Sequence, residues 1–200
     1  MDARNILTIL LTIATILFLS LSLYFLNENM KVENSKRQLS GEIARLSVKE
    51  FSLDLNNAVT GQKAPDVLLA ARNDVRKHLS ELMNGSSILF YRYTRNNCLP
   101  CYEEHIRLIQ EIFSDFHQRM IILASYHNRR DFLVSVRNRN LEIPIYHIPL
   151  NAFDWRMERY NAPYFFVLHP CLRISNIFVP NEHYPELTIQ YLESIKRLLQ

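Results

Sequence analysis

The first charge-free stretch of the chain, Ile6 to Leu26, is dominated by Ile, Leu, Phe and Thr. A run of about 20 such residues matches the ~30 Å hydrocarbon thickness of a bilayer, so residues 1–27 are expected to hold one N-terminal transmembrane anchor. A cleaved signal peptide is the competing reading. Against it, the apolar run is long for that purpose, and Leu23 to Glu28 lacks a small-x-small cleavage pattern. Residues 28–57 are rich in Glu, Lys, Ser and Asn, with apolar positions thinned to Leu39, Ile43, Leu46 and Phe51. They read as a short juxtamembrane helical stalk or an exposed linker. Phe51, Leu53 and Leu55 alternate with polar residues, the period of a short edge strand.

From Ala58 onward the pattern changes. Short apolar runs alternate with amphipathic stretches, the signature of an α/β domain with a central sheet, here residues 58–200. Strands are predicted over Ile88–Tyr93, Met120–Tyr126, Ile145–Ile148, Tyr164–Leu168 and Ile174–Val179. Helices are predicted over Asp74–Met83, Cys101–His117, Arg130–Asn140, Phe153–Tyr160 and Pro185–Leu199. In the last of these Leu187, Tyr191, Leu192, Ile195 and Leu198 recur at helical spacing. Only His169 to Arg173 separate the last two strands, which makes them a hairpin.

Composition narrows the function classes. The net charge of +3 comes from basic residues scattered among acids, without a basic stripe or run, so nucleic acid is not an expected partner. With three glycines in the chain, Gly-rich phosphate loops are excluded by counting, and no cofactor is expected.

The candidate chemistry is Cys98-Leu99-Pro100-Cys101, set between an aromatic and aliphatic strand and an amphipathic helix. At a helix N-terminus the unpaired N–H groups and the positive end of the dipole favour a thiolate. A two-residue gap brings two sulfurs within bonding reach across one helical turn. Pro100 contributes a preset φ without losing a needed donor. Used as a redox dithiol, Cys98 is the solvent-facing nucleophile, and Cys101, one turn deeper, resolves the mixed disulfide by forming Cys98–Cys101. A permanent structural disulfide and half of a zinc site are the alternatives. Zinc would need two further ligands, and Cys171 with seven scattered histidines shows no recognisable spacing, so no metal site is expected.

The order of elements, Cys98-Leu99-Pro100-Cys101 at the first central helix and Ala162-Pro163 before a late strand together resemble a thioredoxin fold. More narrowly, Gly61-Gln62-Lys63-Ala64-Pro65-Asp66, then Leu79-Ser80-Glu81-Leu82, then Ile88-Leu89-Phe90 resemble the TlpA-like membrane-anchored thiol-disulfide oxidoreductases, over Val59 to Leu199. The resemblance implies a central mixed sheet flanked by helices, with the extra helix and strand of that branch. Pro163 lies 65 positions after Cys98, room enough for this insertion. It also implies that Pro163 is cis and lies against the motif, with the Ala162 backbone offering strand-like hydrogen bonds to an incoming peptide. Members are usually tethered by one N-terminal helix and face the bacterial periplasm. The expected partners are therefore protein dithiol/disulfide substrates and an electron-donor protein. The expected location is the bacterial inner membrane, single-pass, with the C-terminal domain in the periplasm, where disulfides need management. The charges run the other way, since Lys31, Lys36 and Arg37 follow the span and only Arg4 precedes it. A non-enzymatic interaction module with a structural disulfide is the rival reading.

Two departures from the family bear on activity. A Trp commonly precedes the first cysteine there, whereas Asn97 does here. The family often carries an acidic or amide side chain on the motif strand, and Ile88 to Tyr93 has none. Glu103 or Glu104 could substitute through water, although acids in a first helical turn ordinarily just complement the dipole. Arg92 and Arg95 read as solvated charges flanking the motif, His105 as a satisfied surface histidine, Trp155 as core and Cys171 as an incidental thiol in a hairpin turn. Tyr146 and Tyr160 are candidates to shape a groove before Pro163.

Overall fold

The computed structural model describes residues 3–97, 99–137, 139 and 141–200, without the side chains of 3–12, 14, 99, 101 and 156. Two compact units divide the chain, Met1–Ser47 and Val48–Gln200. Helix α1 (Ala3–Val59) supplies every described residue of the first unit and the first residues of the second. In the first unit, ion pairs one turn apart, Lys31–Glu28 at 2.9 Å and Arg37–Glu33 at 3.1 Å, support the exposed helix by a few tenths of a kcal/mol each. Among the described residues no helix is long and apolar enough to cross a membrane. The anchor expected over Ile6 to Leu26 falls in part on residues 6–12 and 14, whose side chains lie outside the description.

The edge strand expected around Phe51 does not form; these residues are the end of α1. The alternation was half of a helical period: Leu55 and Val59, four apart on one face, are 1% and 2% exposed, whereas Leu53 points outward. The helix ends at Val59 and the chain turns at Gly61 (φ +84°), whose N–H donates to the Ile174 carbonyl at 2.8 Å.

The second unit is built on a seven-stranded sheet. Its strands are β1 (Leu68–Ala71), β2 (Arg76–His78), β3 (Ile88–Thr94), β4 (Met120–Ser125), β5 (Ile145–His147), β6 (Tyr164–Leu168) and β7 (Ile174–Phe178), in the order β2-β1-β5-β4-β3-β6-β7. Strand β3 runs parallel to β4 and antiparallel to β6. Helices α2 (Leu99–Ile112), α3 (Arg129–Arg137) and α4 (Pro185–Leu199) connect and close it. Every residue of β3 is buried, as befits a strand covered on both faces. Leu89, Tyr91 and Tyr93 belong to the core shared with Ile106, Ile109 and Phe113 of α2 and Leu192 of α4. Ile88 and Phe90 belong to the other core, with Leu55 and Val59 of α1, Trp155 and Phe166.

The helix expected over Asp74–Met83 is instead the polar edge strand β2 and a 3-10 turn at Leu79–Leu82. Asp74, at φ +66°, reverses the chain so that β2 pairs with β1. Neither strand carries an alternating pattern long enough to announce it. Asp66 then receives the Ser80 N–H at 2.9 Å and the Ser80 hydroxyl at 2.8 Å, joining two of the segments that carried the family resemblance. The helix expected over Phe153–Tyr160 contracts to a 3-10 segment, Arg156–Tyr160.

Candidate functional site

Strand β3 ends at Thr94, and α2 begins five residues later at Leu99. The Arg95 N–H donates to the Ser125 carbonyl at 2.8 Å, extending the β3–β4 ladder one step past Thr94. Asn97 then closes the connection. Its N–H donates to the Thr94 carbonyl at 3.1 Å, and its Oδ1 accepts the Thr94 N–H at 2.6 Å. Its Nδ2 donates to the Asn161 carbonyl at 2.5 Å. Asn97 is buried, at 7% exposure, so its amide serves as an internal clamp rather than a solvated loop side chain.

Cys98 lies outside the described residues, and Cys101 is described only as backbone, in the first turn of α2. Ala162 and Pro163 form the half-buried link into β6, directly after Asn161. The residue before Cys98 is thus hydrogen-bonded to the residue before Ala162-Pro163, which brings the two expected site segments to one end of the sheet. The cis bond expected at Pro163 is corrected: the described residues contain no cis peptide, and Ala162–Pro163 is trans. Asn161 makes the reversal one residue earlier, in the left-handed conformation (φ +47°, ψ +35°) that asparagine tolerates better than most residues.

Arg92 is not a solvated charge. It is 1% exposed on β3, with Nε donating to Glu158 Oε1 at 3.0 Å and Nη2 to Glu158 Oε2 at 3.3 Å. Its Nη1 donates to the Tyr93 carbonyl at 2.6 Å, and the Tyr164 hydroxyl donates to Glu158 Oε1 at 2.7 Å. A charge on a doubly covered strand is retained because each of its three guanidinium nitrogens meets an acceptor. Burial first, then the Glu158 carboxylate, pushes the Tyr164 hydroxyl well above its ordinary pKa, so it stays a donor. Glu158 and Asn161 were invisible as site residues in the sequence. The available hint was an arginine inside an otherwise aromatic and aliphatic strand, which demands a buried acid.

His105 is buried rather than superficial. Its Nδ1 shares a hydrogen bond with the Tyr91 hydroxyl at 2.8 Å, and burial lowers its pKa to about 4 against a smaller opposing effect of Glu104. It is neutral at pH 7. Glu103 pairs with Arg139 at 3.1 Å, and Glu104 with Arg107 at 2.6 Å. The bond from Arg107 holds the Glu104 carboxyl below its usual range. Both acids following the motif are therefore engaged by arginines. Trp155 is core, stacked on Phe153 at 4.1 Å between ring centroids. Tyr160 is exposed and meets Phe51 edge-on, while Tyr146 belongs to β5 and lines a cleft with Ala71 and Pro144. Cys171 is an exposed free thiol in the β6–β7 turn. No cluster of metal-ligating side chains occurs among the described residues.

No family model matches the chain, and no curated protein matches it. Solved structures do. A thiol:disulfide interchange protein from Bacteroides sp. superposes with a TM-score of 0.54 at 11% identity, covering 70% of this chain and 90% of the other. The thioredoxin domain of a thiol-disulfide oxidoreductase from Bacteroides vulgatus superposes with a TM-score of 0.53 at 12% identity, covering 71% of this chain and 99% of the other. At these identities the likeness is one of fold.

Proposed function

We propose that this chain, which has the thioredoxin fold, is a membrane-tethered thiol-disulfide oxidoreductase working through Cys98 and Cys101. The observation that supports the reading is the Asn97–Asn161 hydrogen bond, which ties the residue before Cys98 to the residue before Ala162-Pro163. The Cys98 thiolate, favoured at the N-terminal end of α2, attacks one sulfur of a substrate disulfide and expels the other as a thiolate. The Cys101 thiolate then attacks Cys98, releasing the second substrate thiol and leaving Cys98–Cys101 oxidised. Two electrons pass to the substrate, whose two sulfurs take up two protons. A protein dithiol donor returns the electrons. With Glu103 and Glu104 held by arginines, the Cys101 proton passes to solvent or to the departing thiolate. Ala162, two residues before β6, presents backbone to the substrate chain. In this reading Ile6 to Leu26 anchor the protein in a bacterial inner membrane with the folded unit in the periplasm.

The test is reduction of a disulfide-bonded protein such as insulin by the full chain in neutral detergent, with a dithiol as electron source. Turnover should vanish in Cys98→Ala, and Cys101→Ser should accumulate a mixed disulfide with substrate. Absence of turnover on every disulfide offered would remove the reading.

A second reading, a non-enzymatic interaction module with a permanent Cys98–Cys101 disulfide, is favoured by Asn97 at the position where the family carries Trp and by a motif strand whose only charged residue is the paired Arg92. A reduction potential below about −300 mV would support it over exchange.

A further inference from the structure

Beside the start of α2 the fold leaves a cleft of about 440 Å3, walled by the end of β3, the first turn of α2, the end of β4 and one face of α3. We propose that this cleft binds the carboxylate-bearing flank of a disulfide substrate. The proposal rests on the oxidoreductase reading above.

The charge of the cleft carries the inference. Three guanidinium groups line it, from Arg95, Arg130 and Arg139, against a single carboxylate, Asp131. Arg95 pairs with Asp131 at 3.2 Å yet remains 54% exposed. Arg139 reaches Glu103 on α2 at 3.1 Å, and its guanidinium is steadied 5.4 Å above the Tyr102 ring. Arg130 is exposed and has no ion-pair partner among the described residues. Positive charge stays in excess even with Glu103 counted. Tyr126 and Ser135 also line it, with their hydroxyls hydrogen-bonded to each other at 2.5 Å.

Planar guanidinium forks matched with hydroxyl donors recognise carboxylates, and clustered arginines are the usual reader of acidic peptide segments. Place in the chain decides what brings the carboxylate. Arg95 stands three residues before Cys98, and Tyr102 directly follows Cys101. In the oxidoreductase reading a substrate attacked at Cys98 engages the chain between Arg95 and Tyr102, both of which line the cleft, and Asp or Glu side chains are the anions a polypeptide brings. Restraint of Arg139 by its stacking on Tyr102 lowers the entropy lost when it grips a ligand.

The test uses the full chain in neutral detergent and two synthetic peptides that differ only in glutamates or glutamines beside a central pair of cysteines. In one version the cysteines are replaced by serine for binding; in the other they form a disulfide for turnover. The glutamate peptide should bind about tenfold more tightly at low salt, and the difference should vanish at about 1 M salt. In Arg95→Gln/Arg130→Gln the preference should fall severalfold while the glutamine peptide is unaffected. Equal binding of both peptides at low salt, a preference that survives the double substitution, or equal displacement by millimolar inorganic phosphate in place of any peptide preference would overturn it. Preferential binding without turnover of either disulfide peptide would remove the oxidoreductase reading and leave the carboxylate cleft. Equal binding with equal turnover would do the reverse.

Discussion

Asn97 Nδ2 donates to the Asn161 carbonyl across 2.5 Å, joining two residues 64 positions apart in sequence. Through the same amide group Asn97 also accepts the Thr94 N–H. One buried side chain thus sets the exit of β3, the entry to α2 and the approach to β6.

Removing that amide should loosen all three. Asn97→Ala leaves the buried Thr94 N–H without its acceptor and is expected to cost about 1–3 kcal/mol. Asn97→Asp keeps the acceptor, loses the donor to Asn161, and should fall between. Thermal or denaturant unfolding of the three proteins measures this, and equal stability of Asn97→Ala and the parent would show that the clamp contributes nothing.

Arg92 and Glu158 form a buried pair whose halves depend on each other. Arg92→Met strands the Glu158 carboxylate and should destabilise by about 3–5 kcal/mol. Adding Glu158→Gln to Arg92→Met should recover part of that loss, because the uncompensated charge is gone while Tyr164 keeps an acceptor. A double variant no more stable than Arg92→Met would contradict the pairing.

His105 makes stability depend on pH in a defined direction. Its pKa in the folded protein, about 4, lies below the ordinary 6.5, so between these values the unfolded chain binds the extra proton. This contribution is fully present above pH 6.5 and is lost as pH falls toward 4. It amounts to about 3 kcal/mol as an order of magnitude. In His105→Gln the slope of unfolding free energy against pH over this window should flatten; an unchanged slope would place the dependence elsewhere.

Cys171 is exposed in the β6–β7 turn and belongs to neither site segment. Alkylating reagents should label it in the native protein. Cys171→Ser should leave disulfide reduction within about twofold of the parent, since surface substitutions away from a site are usually silent. A large loss would bring this thiol into the electron path.

Where local pattern and tertiary environment agreed, the sequence was a faithful guide. Tyr164–Leu168 and Pro185–Leu199 were delimited to the residue because a doubly buried strand and an amphipathic helix each leave a periodic trace. Phe51–Leu55 misled because three alternating positions fit a strand and one turn of helix equally, and only the core waiting for Leu55 and Val59 chooses between them. Arg76–His78 was missed because an exposed edge strand has no apolar face to reveal it.

The same division holds for the site. The sequence by itself showed the Cys98-Leu99-Pro100-Cys101 spacing, a buried strand before it and a helix after it, and the later Ala162-Pro163, since these are local patterns. Only the tertiary structure decided that Asn97 meets Asn161, that Arg92 is buried on Glu158 rather than solvated, that Pro163 enters β6 in trans, and that Arg95, Arg130 and Arg139 converge on one cleft. Each of these depends on a partner tens of residues away or on a turn whose conformation the packing selects, and hydrogen bonds and ion pairs of that range leave no period in the chain.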